Sequence, residues 1–332
     1  MDRHGVACLI IDPQRDFHGG GSLAVPGADE VRPPYYTTAE PCLLAQALAR
    51  RTSTVALCAN CCILLGQDAQ RVRQLLDDHG SEIESITVTM DSHQRMHIAH
   101  GLFWTDAAGR HPEPFTTIDR ADVETGKWRA VRTDHQSKAL AYVQALEKQG
   151  KFKLCIWPEH CIIGSEGHNV TAPINEGLST WAASRHASVE WVHKGQNIFT
   201  EMYSALKAEV EVAGDASTGL NKELVERLAT HERVLVCGQA KSHCVNCTIR
   251  DLVDHWPKSE LHRIWLLSDG MSSVPGFEDA GEKFIDDMRA AGLTIVPTAQ
   301  AFETRLSDPT PLQELTIAQN QTAGSQKQVS AL

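Results

Sequence analysis

The sequence predicts an α/β fold, a three-layer α/β/α arrangement around a central, mostly parallel sheet. Short apolar runs bounded by turn signals recur along the chain, and segments with helical spacing lie between them. The composition, 42% hydrophobic and 22% charged over 332 residues, is that of a globular protein large enough for a sizeable core. Strands buried on both faces read as near-continuous apolar runs rather than as alternation, because helices cover the sheet from either side.

The runs, in order, are 7–12 (ACLIID), 83–90 (IESITVTM), 152–157 (FKLCIW), 188–193 (SVEWVH), 233–238 (RVLVCG), 263–268 (RIWLLS) and 293–297 (LTIVP). Helical spacing predicts helices over 69–79, 136–149, 169–183, 221–230, 245–255 and 277–291. Two stretches interrupt this rhythm. Residues 29–67 contain PPYYTTAEP and TVALCANCCILLG, whose Cys58, Cys61 and Cys62 lack a second cysteine pair at knuckle spacing. They read as buried apolar cysteines rather than zinc ligands. Residues 101–135 are rich in Thr, Asp, Pro and Trp and read as a loop excursion near the active edge. The expected organisation is one domain over 1–308 with insertions at about 29–67 and 101–135, then a disordered tail over 309–332, where Thr, Gln, Ser and Ala follow no period.

Charge narrows the function classes. With 31 Lys and Arg against 42 Asp and Glu, the formal charge of −11 disfavours nucleic acid and anionic membrane as partners. No apolar run reaches the ~18 to 20 residues needed to span a bilayer, and MDRHGVACLIID lacks the small-residue site of a cleaved signal. A cytoplasmic location is expected, where the ten cysteines would be reduced thiols. The sixteen histidines offer proton carriers and metal ligands.

In a parallel sheet covered on both faces, the active crevice lies beyond the carboxyl ends of the strands. The first run ends at Asp12, the second at Asp91 and His93, the third leads to Trp157 and His160, and the fourth ends at Lys194. The fifth leads through GQAKSHC to Cys244 at a predicted helix start. An acid, a base, a thiol and three metal-type ligands thus gather at strand ends. A thiol with a pKa of about 8.5 is only a few per cent thiolate near neutral pH. A helix start near His243, and the charge of Lys194 or Lys241, are the features that would lower the value for Cys244. Asp91 and His93, two apart in an extended segment, can share a side, and His160 could close a three-ligand set with open positions that suits zinc, iron or manganese; on spacing alone a polar loop is an equally open reading. His97 and His100 compete for the histidine role.

These residues also carry a family resemblance. IIDPQRDFHGGGSLAVPGA resembles the opening motif of the nicotinamidases within the isochorismatase-like cysteine hydrolases, and MDSH, WPEHCIIGSEG, HKG and VCGQAKSHCV follow in the family's order. The resemblance spans about residues 5 to 300 but is strong only at the motifs. It implies the isochorismatase-like hydrolase fold, with Asp12, Lys194 and Cys244 as catalytic triad and Asp91, His93 and His160 as ligands of one divalent ion, zinc first, iron or manganese otherwise. Phe17 and Trp157 would flank the substrate ring. The peptide before Ala240 would be cis, and the backbone N–H groups of Ala240 and Cys244 would form the oxyanion hole. The implied activity is hydrolysis of nicotinamide to nicotinate and ammonia through a Cys thioester, with a small-molecule amide as partner and a homo-oligomer as assembly.

One departure stands out: Lys241, Ser242 and His243 replace the Thr, acidic and aromatic residues usual before the nucleophile. Two other readings remain at this point. One is a related amidohydrolase for another small amide or carbamoyl compound, its pocket reshaped by the 101–135 excursion. The other is a catalytically silent binding scaffold, against which the presence of Asp12, Lys194 and Cys244 together argues.

Overall fold

A computed structural model describes residues 4–25, 68–150 and 153–303. The insertion at 29–67, with Cys58, Cys61 and Cys62, and the tail at 309–332 lie outside the described residues.

Six strands form one sheet: β1 (His4–Ile11), β2 (Ile83–Asp91), β7 (Glu190–Lys194), β8 (His231–Gly238), β9 (Ile264–Leu267) and β10 (Thr294–Val296). Their order is β10-β9-β8-β1-β2-β7, and every pairing is parallel. Successive side chains of a strand face opposite sides, and β1 shows what that demands here. Ala7, Leu9 and Ile11 pack with Val234 and Val236 of β8 under the helices α5 (Lys222–Ala229), α6 (Asn246–His255) and α7 (Glu278–Ala291). Val6, Cys8 and Ile10 pack on the other face with Val72, Leu76, Leu178 and Trp181, from α1 (Asp68–His79) and α4 (Ala172–Arg185). Both faces of β1 are therefore dry, as its unbroken apolar run requires, and the layers are α/β/α.

Two apolar runs behave differently from the sequence expectation. Among its described residues FKLCIW does not enter the six-stranded sheet: Leu154–Cys155 (β6) pairs antiparallel with Thr117–Ile118 (β4). Its Leu154 and Ile156 are buried instead in a third cluster with Phe103, Trp104, Ile118, Tyr142 and Leu146. SVEWVH does join the sheet, but as an edge strand, and Trp191 is 45% exposed.

The third cluster also gives the segment 101–135 its shape. A short antiparallel pair, Trp104–Thr105 (β3) with Arg129–Ala130 (β5), and the helix α2 (Arg120–Glu124) lean on α3 (Gln136–Gln149). The helix α2 is capped by Asp119, which accepts from the Asp122 amide at 3.0 Å, while the Asp122 carboxylate faces the Asp119 amide. This cluster contains Phe17, Trp157 and Ala240, so the excursion is continuous with the wall of the strand-end crevice. Among the described residues, no helix is long and apolar enough to cross a membrane.

Candidate active site

The chain crosses over on either side of β1, which lies between β8 and β2, so the carboxyl ends of β1, β2, β7 and β8 border one crevice. Asp12 follows β1 with φ of +43°, a left-handed conformation that is costly for a non-glycine residue. The Asp12 amide donates to the Thr89 carbonyl at 3.1 Å, and Thr89 Oγ1 donates to Asp12 Oδ1 at 2.5 Å. Lys194 closes β7, fully buried. Its Nζ lies 3.0 Å from Asp12 Oδ2, 3.1 Å from Asp91 Oδ1 and 3.6 Å from Cys244 Sγ, and donates to the Met202 carbonyl at 2.9 Å. Burial alone would strip the proton from Lys194, but Asp12 and Asp91 outweigh it and hold the pKa well above the usual lysine value.

Cys244 sits in a π-helical turn, Lys241–Val245, that leads into α6. The sequence expectation of a lowered thiol pKa is reversed. Burial pushes the Cys244 thiol well up, Lys194 pulls against it, and the nearby Asp12 and Asp91 carboxylates add to the rise. Lys241 gives no help, since its Nζ is held by Glu282 at 2.6 Å. Cys244 thus rests as a neutral thiol, with the Asp12 carboxylate in the same buried cluster. Asp12 itself is raised by burial, against the pull of Lys194, which makes it a better proton acceptor than an ordinary carboxylate.

Two glycines of the quoted motifs have steric reasons. A Cβ on Gly238 would lie 2.0 Å from the Ile11 carbonyl oxygen, and one on Gly195 would lie 2.9 Å from Asp91 Oδ1. Both sites adopt positive φ, open to glycine at little cost. The Gln239–Ala240 peptide is cis. The Cys244 amide falls in the first turn of its helical segment, where N–H groups lack intrahelical acceptors.

The histidine half of the site is assembled by loops. Residues 157–163 run beside 93–100: the Trp157 amide donates to Ala99 at 2.8 Å, His93 to Cys161 at 3.0 Å and Ile163 to His93 at 3.0 Å. That pairing brings His160, 67 residues on in sequence from His93, to the same spot. His93 Nε2 lies 3.1 Å and His160 Nε2 3.5 Å from Asp91 Oδ2. Gln14 fixes Asp91 from behind, accepting from the Asp91 amide at 2.6 Å and donating to its carbonyl at 2.7 Å. Asp16 fixes the His160 loop, accepting from the Cys161 amide at 2.7 Å.

The three residues fit a divalent ion. Ligand atoms of Asp91, His93 and His160 lie within 4.8 Å of one another. His93 Nδ1 faces the Gly195 carbonyl at 3.2 Å and His160 Nδ1 the Pro158 carbonyl at 2.9 Å. Carbonyls only accept, so each Nδ1 carries a proton, leaving Nε2 for a metal, as in ligand histidines oriented by an outer acceptor. His93 Nε2 is buried without a hydrogen bond. Burial disfavours charge on His93, but Asp91 outweighs it and raises its pKa, so a proton and a metal ion compete for one lone pair. Burial likewise works against the Asp91 carboxylate, and His93 and Lys194 overcome it, holding its pKa well below the usual range.

Of the two competing histidines, His97 has both nitrogens engaged, Nε2 with the Thr200 carbonyl at 3.1 Å and Nδ1 with the Ala99 amide at 3.2 Å. His100 keeps a buried Nε2 without a hydrogen bond, and burial holds its pKa at about 3.

The cavity between the two halves is tight, with a volume of about 20 Å³. Phe17, Trp157, Asp91, His160, Ala240 and Cys244 line it, as do His243, one of the departures noted in the sequence, and a set that sequence reasoning missed: Leu23, Glu201, Tyr203 and Val274. Trp157 Nε1 donates to the Tyr203 hydroxyl at 3.0 Å, and the His243 ring meets Trp157 edge-on at 5.2 Å. Glu201 and Tyr203 follow β7 in an irregular segment whose period announces nothing; only their nearness to HKG could have drawn attention to them.

No family model matches the chain, and no curated protein matches it. Solved structures do. An Acinetobacter baumanii nicotinamidase pyrazinamidase is 18% identical with a TM-score of 0.53, the match covering 90% of this chain and 99% of that one. The yeast nicotinamidase bound to the inhibitor nicotinaldehyde is 16% identical with a TM-score of 0.52, over 88% of this chain and 99% of that one. At such identities what the likeness carries is architecture: the chain has the three-layer fold of these nicotinamidases.

Proposed function

We propose that the chain is a metal-assisted cysteine amidohydrolase for small aromatic amides, with nicotinamide as its substrate. The observation that carries this reading is one buried cluster in which Lys194 Nζ lies 3.0 Å from Asp12 and 3.6 Å from the Cys244 thiol. The order of five family motifs and the small, aromatic-walled cavity support it.

Asp12 accepts the thiol proton as Cys244 Sγ attacks the amide carbon, so that charge forms on sulfur only as the new bond does. The carbonyl electrons move to oxygen, which the backbone N–H groups of Ala240 and Cys244 stabilise. Asp12 then returns the proton to nitrogen, the C–N bond breaks and ammonia leaves. Water, deprotonated by Asp12, opens the thioester, releasing the carboxylic acid and restoring the thiol. Lys194 remains charged throughout and keeps Asp12 oriented. Phe17 and Trp157 hold the ring between them. Asp91, His93 and His160 would hold zinc, which suits two imidazoles and a carboxylate with open positions. When bound, the ion would supply a Lewis-acid anchor for the ring nitrogen.

Ammonia release from nicotinamide and pyrazinamide, compared with the Cys244→Ala variant, tests the reading. Turnover that vanishes in the variant supports it. Turnover of another small amide but of neither pyridine nor pyrazine amide favours the related amidohydrolase, and binding with no turnover of any amide favours the scaffold.

A further inference from the structure

Glu201 is buried, lines the active cavity and has no part in the steps above. Its Oε1 accepts from the Met202 amide at 2.9 Å and lies 3.9 Å from His93 Nε2. Its Oε2 is buried without a hydrogen bond. An ionised carboxylate oxygen in such a place is costly unless something it can accept from, or pair with, comes to it. Lys194 already serves Asp12 and Asp91, so with Glu201 the site holds three carboxylates against one ammonium, a formal charge of −2.

We infer that Glu201 is the outer partner of the metal centre, its free oxygen accepting a hydrogen bond from a water carried by the ion and its charge completing the neutralisation of a divalent cation. The inference rests on the metal site proposed above. An outer place, rather than a fourth ligand position, follows from the distances. Ligands of one tetrahedral shell with bonds near 2 Å stand roughly 3.3 Å apart. Glu201 Oε1 is farther than that from His93 Nε2, is already held by Met202, and falls outside the group formed by Asp91, His93 and His160. With one ion bound, Asp91 and Glu201 balance its two charges while Asp12 and Lys194 balance each other, and the buried cluster becomes neutral. The two half-sites are then linked by charge as well as by position.

The test is zinc affinity of the purified full chain, measured by competition against a chromophoric chelator with zinc alone as probe. Glu201→Gln keeps the Met202 contact and the volume but removes the charge, and affinity should fall ~10- to 100-fold, the usual cost of losing an outer partner. Glu201→Asp, which restores charge, should recover part of that loss, and thermal melts of the apo proteins should show both variants folded. Affinity of Glu201→Gln within about twofold of the parent overturns the inference. A loss as complete as that of His160→Ala makes Glu201 a ligand and overturns the outer role. A parent that binds no zinc removes the metal centre and the inference together. Because the readout is binding, a chain that fails to hydrolyse nicotinamide yet shows the Glu201 dependence would sink the proposed activity and leave this assignment standing.

Discussion

Asp12 and Lys194 stand at the ends of strands in the middle and at one edge of the sheet, whereas His93 and His160 stand on irregular segments that pair with each other. The first pair is held by the layered core, with Thr89 and the Met202 carbonyl as direct restraints. The histidines are held by backbone carbonyls at Nδ1 and by the loops that Gln14 and Asp16 brace. The contrast is also electrostatic. On the sheet side, burial raises both the thiol and its base; on the loop side, Asp91 keeps its charge because His93 and Lys194 outweigh burial. Under the proposed mechanism the sheet half transfers the proton and the loop half holds the cation, so damage to each should read differently.

The largest expected effect is at the thiol. Cys244→Ala removes the nucleophile and little volume, so turnover of nicotinamide should drop by a factor on the order of 10⁴ or more while the melting temperature moves little. Ammonia release near the parent rate in that variant would end the case for covalent catalysis.

Second comes the loop half. His160→Ala should strip most of the divalent ion that elemental analysis finds in the parent, about one per chain for three protein ligands with open positions. Chelation should raise KM for pyridine carboxamides while leaving alkylation of Cys244 nearly unchanged. Equal losses in both quantities would mean that the halves are not separable.

A smaller effect is expected at the wall they share. Trp157→Ala removes a ring that lines the cavity and bonds Tyr203. KM should rise ~10-fold, the worth of about 1.4 kcal/mol of ring contact, with kcat changed less; a loss confined to kcat would place Trp157 in the chemical step.

The last effect is one of stability and leaves turnover aside. Burial holds His243 at about 4, against 6.5 for a free imidazole. As pH falls from 7 to 5, the unfolded chain therefore takes up a proton that the folded chain refuses. That costs about 2 kcal/mol of stability by pH 5, and the loss levels off only below about 4. Urea midpoints at the two pH values should show His243→Phe losing less than the parent by that amount, and an identical pH dependence would mean that His243 is charged in the fold.

The difference between the halves also explains what could be read in advance. The runs at ACLIID and RVLVCG became β1 and β8 because a strand covered on both faces must be apolar throughout, and the helical segments fell within a few residues of their expected bounds. FKLCIW has the same look for another reason: its Leu154 and Ile156 are buried against the 101–135 segment and α3, and apolarity alone does not say what covers them.

By itself the sequence determined the layers and the chemical types at the strand ends, because periodicity and burial are local and the motifs carry their own turns. Tertiary structure alone decided which imidazoles face Asp91, that Glu201 lies beside His93, and that Cys244 rests as a thiol. Those depend on distances between segments far apart in the chain and on the loss of water around them, and neither quantity is written in any one stretch of residues.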